Sequence, residues 1–121
     1  MKVILDTNFI LTCIKERIDF LSQLEEQGFT ILIPREVLQE MKDIRYKVSH
    51  DKRIAIDVAI KIFEDKRVKH ISLGSRSVDD GLIKAGKEGH YIATLDRAIK
   101  REIPNGVVLF KSKSSVGIEK G

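Results

Sequence analysis

The sequence predicts an α/β fold, a three-layer α/β/α domain built on a central, mainly parallel sheet of about five strands. Two observations predict it. Four short apolar runs, Val3-Ile4-Leu5, Ile31-Leu32-Ile33, Tyr91-Ile92-Ala93 and Val107-Val108-Leu109-Phe110, do not alternate with polar residues. Strands read this way when helices cover both faces of a parallel sheet. Between the runs lie segments of helical spacing, and strands that alternate with helices wind into a parallel sheet through right-handed crossovers.

In chain order, Val3 to Leu5 opens the sheet and two helices follow, Phe9 to Lys15 and Ile18 to Glu26. Ile31 to Ile33 is the second strand. Arg35 to Lys42, extending toward Tyr46, and Lys52 to Asp65 are the next two helices. In Lys52 to Asp65 the charged residues Arg53, Asp57, Lys61 and Asp65 share one i, i+4 stripe, and the other positions are almost all apolar. A helix apolar on most sides is buried or packs on a second subunit, so this one is expected to contribute to a homodimer. Val68 to Ser72 is a weaker strand, Ser77 to Lys87 a helix, Tyr91 to Ala93 a strand, Arg97 to Glu102 a helix and Val107 to Phe110 the last strand. The domain is expected to span residues 1–110, with the Lys/Ser/Gly-rich stretch 111–121 as a basic, flexible tail.

A chain of 121 residues with one cysteine, Cys13, holds one core and no intramolecular disulfide. Its longest stretches free of Asp, Glu, Lys and Arg, such as Thr7 to Ile14, are eight residues long, against the ~20 of a spanning helix. Asp6 interrupts what a signal peptide would need as its apolar region. No membrane segment is expected, and the location read from the sequence is cytoplasmic.

Functional groups of an open parallel sheet gather beyond the carboxyl ends of its strands. Asp6 directly follows the first strand and Asp96 comes three residues after Ala93; Asp79 and Asp80 open the helix between, and Glu40 lies at the edge of the buried face of the Arg35 helix. Each also has a structural explanation. Asp6 and Asp96 suit helix N-caps, Ser77-Val78-Asp79-Asp80 reads as a capping box, and Glu40 and Glu36 read as solvated helix residues. Together, four converging acids would repel one another unless cations neutralised them. Such a cluster suits Mg²⁺ or Mn²⁺, hard ions that take oxygen ligands and promote phosphodiester hydrolysis. The net charge is +4, and four acids withdrawn into a metal site leave 14 others facing 22 Lys and Arg. Lys42, Arg45 and Lys47 follow Glu40, and Arg97, Lys100 and Arg101 follow Asp96, where a phosphate backbone would need them.

Ile4-Leu5-Asp6-Thr7-Asn8-Phe9-Ile10 resembles the opening motif of PIN-domain nucleases. Ile33-Pro34 through Val37-Leu38-Gln39-Glu40-Met41 resembles their second acidic motif, Asp80-Gly81-Leu82-Ile83 with Ala85 the third, and Ile92-Ala93-Thr94-Leu95-Asp96-Arg97 the fourth. The Asp79-Asp80 pair, Arg53-Ile54-Ala55-Ile56 and Thr94 to Arg101 look most like the branch that processes small-subunit ribosomal RNA and its archaeal relatives. The resemblance implies a magnesium- or manganese-dependent endoribonuclease. It makes Asp6, Glu40, Asp80 and Asp96 the acidic site, with Asn8 and Thr94 as polar supports. The motif register selects Asp80 as the third acid, while a helical wheel puts Asp79 nearer the apolar face of the same helix, so both are candidate metal ligands.

Of the other readings, a toxin keeps the same chemistry and the sequence does not separate it from a processing enzyme, while two binding modules fit less well. A ribonuclease toxin would have an antitoxin partner, where a processing enzyme would have a ribosome-assembly partner. A non-cutting RNA-binding module should lack an acid of the quartet, and none is missing. A receiver-like phospho-acceptor needs an acidic pair after the first strand, where Asp6 is followed by Thr7-Asn8. Aromatic residues are only 6% of the chain and Trp is absent, so base stacking should contribute little sequence readout.

Overall fold

The computed structural model describes residues 1–119. The chain runs β1 (Lys2–Leu5), α1 (Thr7–Lys15), α2 (Phe20–Glu26), β2 (Thr30–Pro34), α3 (Arg35–Ile44), α4 (His50–Phe63), β3 (Val68–Ile71), α5 (Val78–Lys87), β4 (Tyr91–Ala93), α6 (Arg97–Lys100), β5 (Gly106–Phe110) and β6 (Ser115–Ile118). A 3₁₀ turn at Arg45–Lys47 extends α3. The strands form one sheet in the order β3-β2-β1-β4-β5-β6, parallel except for the antiparallel β5–β6 pair.

The apolar runs behave as their lack of alternation implies. Val3, Leu5, Ile31 and Ile33 join Phe9, Leu24, Val37, Met41 and Ile56 in a core on the α1–α4 side, while Ile4, Leu32 and Ile92 meet Leu82 of α5 and Ile99 of α6 on the other. Burial of one such side chain stabilises by roughly 1.5–3 kcal/mol, and both faces of β1 and β2 use it. That requirement makes the central strands apolar throughout.

The structure changes two expectations. The tail expected to fray from Lys111 instead makes a 3₁₀ turn at Lys111–Lys113 and, after Ser114 in left-handed backbone (φ 47°), returns as β6. Val116 is buried there, and α2 grips the strand: Gln23 Oε1 accepts the Val116 N–H at 2.9 Å, and the Gln27 side-chain amide donates to Val116 O at 2.8 Å. Lys120 and Gly121 lie outside the described residues. In α4, Ile56, Ala59 and Phe63 are buried within this chain, and only Ile54 and Val58, one turn apart, are large apolar residues left exposed. The uncovered apolar surface on this helix is therefore a pair of residues rather than most of its circumference.

Candidate functional site

Parallel pairing of β1 with β4, with Leu5 opposite Ala93, sets the carboxyl ends of the two strands side by side. The Asp6 N–H donates to Ala93 O at 3.0 Å, carrying the ladder one residue past the strand. Asp6 is only 8% exposed. Its Oδ1 accepts the Thr7 N–H at 2.8 Å and caps α1, and its Oδ2 accepts the Thr94 hydroxyl at 2.9 Å. Buried Thr94 in turn accepts the Asp96 N–H at 3.1 Å, and Asp96 Oδ1 caps α6 through the Ala98 N–H at 2.8 Å. Capping and site formation are thus compatible: each cap fixes the carboxylate that ends a strand.

Burial pushes the Asp6 carboxyl above its ordinary value. The hydrogen bonds from Thr94 and Thr7 oppose that rise, and the charges of Glu40 on α3 and Asp79 on α5 add to it. Two helices therefore direct negative charge at one buried aspartate. Glu40, Asp79, Asp80 and Asp96 are themselves exposed. Of the two neighbouring aspartates on α5, it is Asp79 whose charge bears on Asp6. Asp80 donates its N–H to Ser77 Oγ at 3.1 Å, which is the forward half of the expected capping box. The reciprocal bond from the Asp80 carboxylate is absent among the described residues.

Glu36, read from the sequence as solvated, holds this corner together. Its Oε2 accepts from the Leu73 N–H (2.8 Å), Ser72 Oγ (3.1 Å) and the Gly74 N–H (3.2 Å) in the segment that leads into α5. Burial works to raise the Glu36 pKa, but the N–H donors, its own and those of Gly74 and Leu73, and Ser72 hold it below its ordinary value. The signal for it was Leu73-Gly74: a turn that leaves backbone N–H groups needs an acceptor, and Gly74 takes positive φ. Gly81 completes the corner, because a Cβ there would fall 2.7 Å from Leu73 Cβ. Glycine lets α5 lie directly on that segment.

Asn8 and Asp96 line a cavity of about 1070 Å³ together with Lys15, Arg17 and Lys52. Lys15 and Arg17 were not foreseen beside the site. Of the basic residues expected to meet phosphate, Lys42, Lys47, Arg97 and Arg101 are exposed and Lys100 is half-buried. Arg45 is engaged elsewhere: its Nε and Nη2 donate to Asp57 at 2.7 and 3.1 Å, and its carbonyl accepts from Arg53 Nε at 3.1 Å. A fork–fork pair with a carboxylate occupies two of the donors that a phosphate would take, so Arg45 is paired with Asp57 rather than free.

Among the described residues no three His, Cys, Asp or Glu side chains stand close enough to share one ion. The donor chemistry nevertheless suits a hard divalent cation: the groups are carboxylates, and Asp6 carries a like-charge load that a cation would relieve. Mg²⁺ commonly holds one or two carboxylates and keeps several waters, so three direct ligands are not required.

A family model described as a PIN like domain matches residues 3–110. The chain belongs to this PIN-like family. The PIN fold recurs in the structure of "the PIN domain endonuclease Utp24", at TM-score 0.76 and 23% identity over 99% of this chain and 92% of that one. It recurs also in VapBC2 from Rickettsia felis bound to a DNA fragment from its promoter, at TM-score 0.52 and 17% identity over 85% of this chain and 96% of that one. At these identities the likeness is one of fold. No curated protein matches the sequence. The PIN match ends at Phe110, so β6 and its clasp on α2 lie beyond the part that the family model covers. No helix among the described residues is long and apolar enough to cross a membrane.

Proposed function

We propose that this chain is a Mg²⁺- or Mn²⁺-dependent endoribonuclease that hydrolyses phosphodiester bonds in ribosomal or other RNA processing. One observation carries the reading: a buried Asp6, oriented by Thr94 and Thr7, bears the charges of Glu40 and Asp79 in a chain of the PIN-like family. Asp6 would hold the ion with at most one further direct carboxylate from among Glu40, Asp79, Asp80 and Asp96, the others acting through bound waters. Such an ion polarises a phosphodiester and acidifies water for the attack.

The rest of the work falls to this chain's own residues. Thr94 and the Thr7 N–H fix both Asp6 oxygens, so little reorientation is needed when substrate arrives. Asp96 uses Oδ1 for its cap and keeps Oδ2 free of hydrogen bonds among the described residues. Asn8, exposed at the start of α1, is placed to orient a phosphate oxygen or a water. Lys42, Lys47, Arg97, Lys100 and Arg101 neutralise phosphates around the acids, which positions a strand without reading its bases. The exposed Ile54 and Val58 are where a second copy would pack if the chain dimerises.

The RNA-processing reading is preferred to a toxin because the Asp79-Asp80 pair and the Thr94 to Arg101 segment resemble the ribosomal RNA branch. A ribosome-assembly protein is then the expected guide, where a toxin would have an antitoxin. The test is cleavage of single-stranded RNA and matched DNA with Mn²⁺ and with EDTA. Internal cuts in RNA that need the metal support the reading. Failure to cut RNA with Mn²⁺, or preference for DNA, overturns it.

A further inference from the structure

α5 lies against β4, and on its other side, toward β2 and the edge strand β3, a groove of about 590 Å³ opens. It runs from Lys2 and Thr30 at the amino ends of β1 and β2 to Ser72, Leu73 and Gly81 at the end where the acids gather. That is a length of about 13 Å for four residues of strand. Its floor residues Ile4 and Leu32 are buried. Lys2 and Lys69 reach it from the sheet and Lys84 from α5, and all three are exposed. Among the described residues none of these lysines forms an ion pair, and Glu88 is the one acid that lines the groove.

We propose that this groove is a second subsite for RNA, holding the phosphate backbone of the strand whose scissile phosphate lies at Asp6, Glu40 and Asp79. The proposal rests on the endoribonuclease reading above. Continuity supports it, since Gly81 lines the groove and Asp79 and Asp80 immediately precede it on the same helix. Charge supports it too: Lys69 alone would be explained as an edge-strand guard, but Lys2 is on an interior strand and Lys84 on a helix, and all three line one groove. A docked protein helix would need an apolar anchor. The large apolar residues that are exposed, Met1, Tyr46, Ile54, Val58 and Phe110, all lie outside the groove. Phosphates need only the ammonium groups.

The experiment measures binding of a labelled single-stranded oligouridylate in EDTA at several salt concentrations. It compares the unaltered protein, a Lys2→Ala/Lys69→Ala/Lys84→Ala variant, and a Lys61→Ala/Lys111→Ala/Lys113→Ala control with the same charge change. The groove variant should bind about tenfold or more weakly, and its salt slope should be smaller by about 2, at about 0.7 per lost phosphate contact. The control should keep the slope, and with Mn²⁺ the groove variant should show a raised KM and an unchanged kcat. Equal slopes for the groove variant and the unaltered protein would overturn the subsite and leave the nuclease reading standing. So would an acidic peptide that occupies the groove while RNA binding is unaffected. Absence of RNA binding by the unaltered protein would overturn both.

Discussion

The hydroxyl of Thr94 donates to Oδ2 of Asp6, 88 residues away in sequence, and accepts the N–H of Asp96. One buried side chain thereby couples two acids on neighbouring strands. Thr94→Val keeps the shape but leaves a carboxylate oxygen and an N–H unpaired, at about 1–3 kcal/mol each for such buried groups. The melting temperature should fall by several degrees and cleavage should drop at least tenfold. Thr94→Ser should restore both. Equal activity in the valine and serine variants would show that the bridge does not orient the site.

Asp6 titrates above its ordinary 3.8 in the folded chain. As pH rises through the window between that value and the raised one, the unfolded chain releases its proton first, so folding stability falls and stays lower above the window. Asp6→Asn should remove this dependence, raise the neutral-pH melting temperature in EDTA and abolish cleavage. Mn²⁺ at a hundred times its dissociation constant should stabilise the unaltered protein by about 2.7 kcal/mol, and Asp6→Asn far less. Full cleavage by an Asp6→Asn, Asp96→Asn double variant would remove the metal site as proposed.

Asp79→Asn should bring the Asp6 pKa down, because a repelling charge is gone, and should reduce cleavage more than Asp80→Asn. Carboxyl titration followed by NMR, beside the two cleavage rates, separates the roles. A larger loss with Asp80→Asn would assign the third acid as the motif register does.

Glu36→Ala removes the acceptor for Leu73, Gly74 and Ser72. We expect about 1–2 kcal/mol of destabilisation and faster hydrogen exchange at the Leu73 and Gly74 amides. The unaltered Glu36 titrates below its ordinary 4.5, so its contribution is present above that value and is lost as pH falls through it into the lowered range. Cleavage should fall through Asp79, whose helix begins just after this segment. Unchanged exchange at those amides would show that Glu36 does not anchor the turn.

The central strands were legible because burial on both faces forces unbroken apolar runs such as Ile31-Leu32-Ile33, whereas their order in the sheet came from the structure. Asp6 and Asp96 were legible as strand-end acids, since a topology that makes β1 and β4 neighbours brings their ends together. What escaped were contacts made between distant segments. Glu36 looks like any first-turn helix acid until β3 ends beside it, and Arg45 looks like a free cation until α4 offers Asp57. β6 escaped because Ser115-Val116-Gly117-Ile118 has only two apolar residues, and its outer edge is held by the side chains of Gln23 and Gln27, far off in sequence, rather than by another strand.

That clasp bears on where the chain can be shortened. The β5 edge is covered by β6, and the outer backbone of β6 is met by the two glutamines of α2 rather than left open. Ending the polypeptide at Phe110, where the family match stops, would bare the main chain of Val107 to Phe110 along with the buried face of Val107 and Val108. An unguarded, apolar strand edge is a template for pairing with other chains. A protein trimmed to residue 110 should therefore precipitate or form irregular multimers.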